Sequence, residues 1–184
     1  MDLFYFFAAL DESDYIHMTR LLVLFNVFAG KKGKKSIDGL TKLAKLDFLL
    51  RYPLYLEQAL KERNATQKQI EKIEIKWYEK SSVESKMVRF RYGPWDFRYN
   101  RLINQLIAIG LIEIKREGKK IKFFLTDKGF EISNKCIKEE NFLDLYKRSQ
   151  LLRSMLDLTA TNLMKFIYKT FPEIASLKFG EEIK

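Results

Sequence analysis

Two groups of residues have the types and order that metal or phosphate chemistry requires. Asp96 precedes Glu113-Ile114-Lys115, and an Asp followed by Glu-x-Lys can hold Mg²⁺ and orient a water for phosphodiester hydrolysis. The same Glu-x-Lys triplet recurs at Glu74-Ile75-Lys76, so the pattern arises readily in a Lys- and Glu-rich chain. Asp96 is also expected in the first turn of a helix, where a carboxylate meets the helix dipole favourably. The turn Lys31-Lys32-Gly33-Lys34-Lys35 suggests a phosphate loop. The Gly30 to Gly33 spacing is too short for one, and an apolar helix precedes it where a strand is required. His17 is the one histidine and Cys136 the one cysteine, and both read as packing residues on helices. No complete catalytic set, no metal site and no cofactor site is expected.

The elements that must position these residues follow from periodicity. Asp14 to Ala29 has the spacing of a buried helix and stops at Gly30. A second helix is predicted from a cap at Ser36 or Asp38 up to Arg51-Tyr52-Pro53, with a short helix from Leu54 to Glu62. Asn64 to Ser82 is polar and reads as a surface loop or a partner-facing insertion, with Trp77 and Tyr78 as a buried-looking pair. Met87 to Tyr92 alternates as a strand, and Pro94 is placed in the first turn of the next helix. That helix carries Tyr99, Leu102, Ile103, Leu106 and Ile107 on one stripe and closes at Gly110. The period then changes to 2: Ile112 and Ile114 alternate, Glu117-Gly118-Lys119 turns the chain, and Ile121, Phe123 and Leu125 return. Thr126 or Asp127 caps a further helix, two more run over 141–158 and 161–170, and the tail after Phe171-Pro172-Glu173 is expected to fray.

This order predicts a mainly α fold with a small β hairpin, a winged-helix-like domain with extra N- and C-terminal helices. Its parts are N-terminal core helices (1–63), a polar insertion or linker (64–86), a winged-helix module (87–140) and C-terminal helices with a tail (141–184). The 184 residues are enough for one compact unit, and the single cysteine excludes a disulfide framework or a multi-Cys zinc site. The run Leu3 to Phe7 lacks a signal peptide's basic leader, and no apolar stretch reaches the roughly 18–20 residues of a spanning helix, so a cytoplasmic, membrane-free chain is expected. With 34 Lys and Arg against 24 Asp and Glu, the net charge of +10 favours an anionic partner.

The basic residues concentrate on the module. Arg98, Arg101 and Gln105 share one helical face, Arg89 and Arg91 lie just upstream, and Lys115, Arg116, Lys119, Lys120 and Lys122 decorate the hairpin. In a winged helix the helix before the wing can lie in a major groove while the wing contacts phosphates. The other reading of this face is a solvated surface balanced by Glu113, Glu117 and Glu131. Phe4, Tyr5, Phe6 and Phe7, with Trp77, Tyr78 and Trp95, are candidates for a protein interface, or for packing across the chain's own helices.

Four stretches come in one order: KLDFLLRYP (Lys45 to Pro53), RYGPWDFRY (Arg91 to Tyr99), LTDKG (Leu125 to Gly129) and FPEI (Phe171 to Ile174). Over roughly Asp14 to Ile174 the chain thereby resembles the middle component of ABC-three-component systems, the small subunit of Lamassu-type anti-phage complexes. The resemblance implies a non-enzymatic bacterial accessory subunit, with no catalytic residues to carry over. Its partners would be an SMC-like ABC ATPase and an effector, often a nuclease, with double-stranded DNA as a further contact of the basic face. Two other classes stay open on the residues alone. One is a stand-alone winged-helix transcriptional regulator; the other is a metal-dependent nuclease using Asp96, Glu113 and Lys115.

Overall fold

The chain is described here by a computed structural model covering residues 14–80 and 86–184. Helix α1 (Asp14–Ala29) is buried on every side over most of its length, from His17 to Ala29 apart from Thr19. It packs against the later helices and the sheet, as an all-round apolar helix must. The predicted cap at Ser36 or Asp38 is replaced by a short strand, β1 (Ile37–Asp38). Ile37 pairs with Phe123 and is fully buried, so burial of its side chain draws the segment into the sheet. Helix α2 (Leu40–Arg51) then starts after Gly39, whose φ of 83° a residue with a side chain would adopt only under strain. Tyr52 separates it from α3 (Pro53–Glu62), where Pro53 takes the first helical position.

The polar stretch after α3 holds a short helix, α4 (Gln67–Glu71), and a single 3-10 turn (Tyr78–Lys80). Thr66 and Gln69 cap α4 reciprocally, a T-x-x-Q signal present in the sequence. Trp77 and Tyr78 are not a buried pair: they are 82% and 52% exposed. Ile73 is the residue buried here, and Arg148, 3% exposed, fastens the segment from a distant helix. Its guanidinium donates to the Ile73 carbonyl at 2.8 Å and to both Glu79 carboxylate oxygens at 2.7 and 2.8 Å.

Strands β2 (Val88–Phe90) and β3 (Gly93–Trp95) form a hairpin turning at Arg91-Tyr92. Pro94, expected to open a helix, lies instead in β3, in a two-stranded ribbon where one missing N–H can be tolerated. Helix α5 (Tyr99–Ala108) begins only at Tyr99, so Asp96 precedes it. Strands β4 (Ile112–Glu117) and β5 (Lys120–Leu125) form the predicted hairpin, and β1 completes a three-stranded antiparallel sheet in the order β1-β5-β4. Helices α6 (Asp127–Cys136, capped by Thr126), α7 (Leu143–Leu156), α8 (Ala160–Thr170) and α9 (Pro172–Ser176) follow. The protein is thus mostly helical with two small antiparallel sheets.

The tail does not fray. Ile183 is 1% exposed, its N–H donates to the Met87 carbonyl, and Arg89 and Glu181 exchange a further backbone bond at 2.8 Å. The Tyr52 hydroxyl bridges the two segments, accepting from the Met87 N–H at 2.8 Å and donating to the Ile183 carbonyl at 3.0 Å. One hydrophobic core takes residues from α1, α2, α3, α5, the three-stranded sheet, α7, α8 and the tail.

Arg148→Ala is predicted to loosen the 73–79 segment without unfolding the rest. Hydrogen exchange should speed up there by about tenfold or more, as expected for losing charge-assisted bonds of about 1.5–3 kcal/mol, while α2 stays protected.

Candidate functional site

The residues singled out as possible chemistry are drawn first into a buried ionic ring. Asp47 on α2 is fully buried and accepts from Arg20 Nε of α1 at 2.7 Å, Arg51 Nε at 2.9 Å and the Tyr99 hydroxyl of α5 at 2.7 Å. Arg51 spans to Asp96, donating to Oδ2 at 2.7 Å. Asp96 also accepts from Arg98, through its guanidinium at 2.7 Å and its backbone N–H at 2.9 Å. His17 closes the ring, with Nδ1 2.9 Å from Arg20 and Nε2 2.8 Å from Arg98. His17 is therefore no plain packing residue of an apolar helix, but a polar junction between two guanidiniums.

The electrostatics follow from this geometry. Burial alone pushes the Asp47 carboxyl up; the charges of Arg20 and Arg51, with the bonds from Arg20 and Tyr99, outweigh it and hold the group at about 2. Burial likewise opposes ionisation of Asp96, and Arg98 and Arg51 hold it well below the usual carboxylate range. Burial and the neighbouring Asp47 push the Tyr99 phenol well above its ordinary value.

The nuclease arrangement loses its first member to this ring, because the Asp96 carboxylate is already matched by two guanidiniums. Glu113 is paired with Lys115 at 2.7 Å on β4. Among the described residues no group of three His, Cys, Asp or Glu side chains could hold a metal ion. In the Lys31–Lys35 turn, the Gly33 and Lys35 N–H groups donate to Gly30 and Ala29 carbonyls and do not form a phosphate cradle.

The basic face divides along the same line. Arg98 belongs to the ring, and Arg101 pairs with Asp14 of α1 at 2.7 Å, with Gln105 3.5 Å from the same carboxylate. That side of α5 is thus turned to α1. The exposed polar side chains of α5 that border the β4–β5 hairpin are Asn100 and Asn104, one turn apart, which charge counting passes over. On the β4–β5 hairpin, Lys115 pairs with Glu113 and lies over the Phe124 ring, and Lys122 pairs with Glu117. Arg116, Lys119 and Lys120 are exposed and have no carboxylate partner among the described residues. Bounded by the β4–β5 hairpin, α5, the start of α2 and the α7–α8 connection is a groove of about 710 Å³, whose lining includes Asn100, Asn104, Ile114 and Lys120 together with Asp38 and Asp157. Arg89 and Arg91 lie on the separate β2–β3 hairpin, Arg89 over the Phe179 ring at 4.4 Å.

Of the aromatic candidates, Phe4, Tyr5, Phe6 and Phe7 lie outside the described residues. Trp77 projects into solvent against Tyr78, and Trp95 is half-buried against Phe90 and Tyr99. The sequence reading missed a further aromatic patch, in which exposed Phe97 and Phe179 pack edge-on against Phe90. No described helix is long and apolar enough to cross a membrane. Comparison with protein-family models, curated proteins and solved structures finds no match for this chain.

The ring predicts a defined acid limb. Both aspartates are more acidic folded than in the unfolded chain, where Asp titrates near about 3.9, so their contribution is complete above that pH and drains as the pH falls toward 2. Melting temperature should drop steeply between about pH 5 and pH 2, and Asp96→Asn should flatten part of that drop while lowering stability at pH 7.

Proposed function

We propose that this chain is a non-catalytic winged-helix adaptor, the accessory subunit of an anti-phage complex built on an SMC-like ABC ATPase. In that reading it works in the bacterial cytoplasm, bridges the ATPase to a nuclease effector and rests its wing on double-stranded DNA. The observation that carries the reading is the sheet order β1-β5-β4 together with the element order around it. A helix, a short strand, further helices, and then a hairpin whose return strand pairs with that first strand is the order a winged helix requires, and it supports that reading. The insertion between α2 and α5 and the helices after the wing are additions to it.

The four stretches that carry the family resemblance support the subunit reading. KLDFLLRYP and RYGPWDFRY supply Asp47, Arg51, Asp96, Arg98 and Tyr99, so both converge on the ring that fixes α5. Phe171 of FPEI is buried against Phe48 of α2 and Tyr55 of α3. For DNA, Arg116, Lys119 and Lys120 supply phosphate contacts, and Asn100 and Asn104 offer paired donors and acceptors for base edges. Exposed Trp77, Phe97 and Phe179 suit a protein partner.

Replacing Arg116, Lys119 and Lys120 together by Ala should weaken duplex binding by the assembled complex. The slope of log affinity against log salt should shrink by up to about three, roughly one for each phosphate contact. An unchanged slope would remove DNA from the assignment. Alone, the chain is expected to be a monomer without Mg²⁺-dependent cleavage of DNA. A symmetric dimer with nanomolar affinity for a palindromic site would favour the stand-alone regulator instead.

A further inference from the structure

The two stretches that build the ring contain a second group of residues that the ring does not use. Lys45 lies on α2 two positions before Asp47 and is 2% exposed. Its ammonium donates to the Thr41 carbonyl at 3.0 Å and meets no carboxylate among the described residues. Lys42, on the same helix, is by contrast matched to Asp157 at 2.6 Å. The β2–β3 hairpin covers Lys45, with Gly93 against its alkyl stem; a Cβ there would stand 3.5 Å from Lys45 Cε. Between helix and hairpin is a cavity of about 300 Å³, lined chiefly by Lys45, Phe90, Arg91, Tyr92, Pro94 and Trp95.

A buried ammonium with one of its three donors satisfied works against folding. Burial pushes Lys45 down to about 8, which expresses the same cost. Methionine would fill the space without it, so the charge itself requires a use. The cavity offers aromatic and prolyl walls, Lys45 in its lining with the ammonium on the carbonyl of Thr41, itself a lining residue, and exposed Arg91, which has no carboxylate partner among the described residues. Its volume is that of a ring-sized group, at the small end of ligand pockets. A phosphate dianion would need the solvent-exposed Arg91 as well as Lys45 to balance it, whereas a carboxylate is matched by Lys45 alone.

We propose that this pocket binds an aryl monocarboxylate, its ring against Trp95 and Tyr92 and its carboxylate on the Lys45 ammonium. The same chemistry has two sources: a small aromatic acid, or the free carboxyl end of a partner chain closing on an aromatic residue. The site is independent of the wing and of any DNA contact.

Calorimetric titration of the full chain tests it with two matched pairs. One pair is indole-3-acetate and indole-3-acetamide; the other is a short glycine-rich peptide ending in phenylalanine, as the free acid and as the amide. One acid is expected to bind with 1:1 stoichiometry and its amide at least about tenfold more weakly, because the charge-assisted bond is lost. Lys45→Met should weaken the acid by a similar factor while raising the melting temperature, and exposed Tyr92→Ala should weaken acid and amide alike. Binding of the small acid identifies a soluble ligand, and binding of the peptide acid alone identifies a partner's chain end. The proposal is overturned if neither acid binds at millimolar concentration, if amide and acid bind equally, or if Lys45→Met binds as the wild type does. The acid–amide comparison reads the charge without any substitution, so it decides the matter even if a variant fails to fold.

Discussion

Charge taken out of water must be matched on every side, and this constraint organises the interior. Asp47 is fully enclosed, yet it is fixed in place by groups from three helices: Arg20 of α1, Arg51 of its own α2 and Tyr99 of α5. Removing one member of such a set leaves a buried charge uncompensated, at a cost of about 3–5 kcal/mol. Apolar packing alone would tolerate small slides of one helix on another. The ring does not, because a shift that separates Arg20 from Asp47, or Arg51 from Asp96, strands a charge. It therefore sets the register of α1, α2 and α5, and His17 ties the first of these to the last.

Both surfaces assigned a role depend on that register. Asp96 and Arg98 anchor the start of α5, and the β4–β5 hairpin follows from its far end after Gly110, so the bearing of that hairpin relative to α1 is inherited from the ring. Trp95 adjoins Asp96 and Lys45 lies two positions before Asp47, so the aromatic pocket stands next to the ring. The Tyr52 hydroxyl extends the same arrangement to the tail through Met87 and Ile183. A rigid scaffold of this kind suits a subunit that holds partners at fixed positions.

Much of the architecture was legible in the residues because it is local. The 3.6 period of α1 and α5, the change to period 2 after Gly110 and the cap at Thr126 all survive in the structure. What failed was short or non-local. Strand β1 is two residues long and exists because Ile37 pairs with Phe123, far along the chain. Pro94 and Asp96 fit a helix start by local rules, but the hairpin and the ring claim them first. The ring links residues 27, 45 and 81 positions apart, and charge types alone do not announce such pairings. For the same reason Arg98 and Arg101 read as a basic face although carboxylates on the chain's own elements hold them. Arg116, Lys119 and Lys120 stay exposed because a hairpin tip has few neighbours.

The central claim is that this chain acts as a subunit held by an ATPase and an effector. It is tested most directly by tagging the chain in its native host, removing nucleic acid with nuclease and identifying what co-purifies in stoichiometric amount. The account predicts an SMC-like ATPase together with a second, effector subunit. Recovery of the chain alone, as a homodimer, would contradict it.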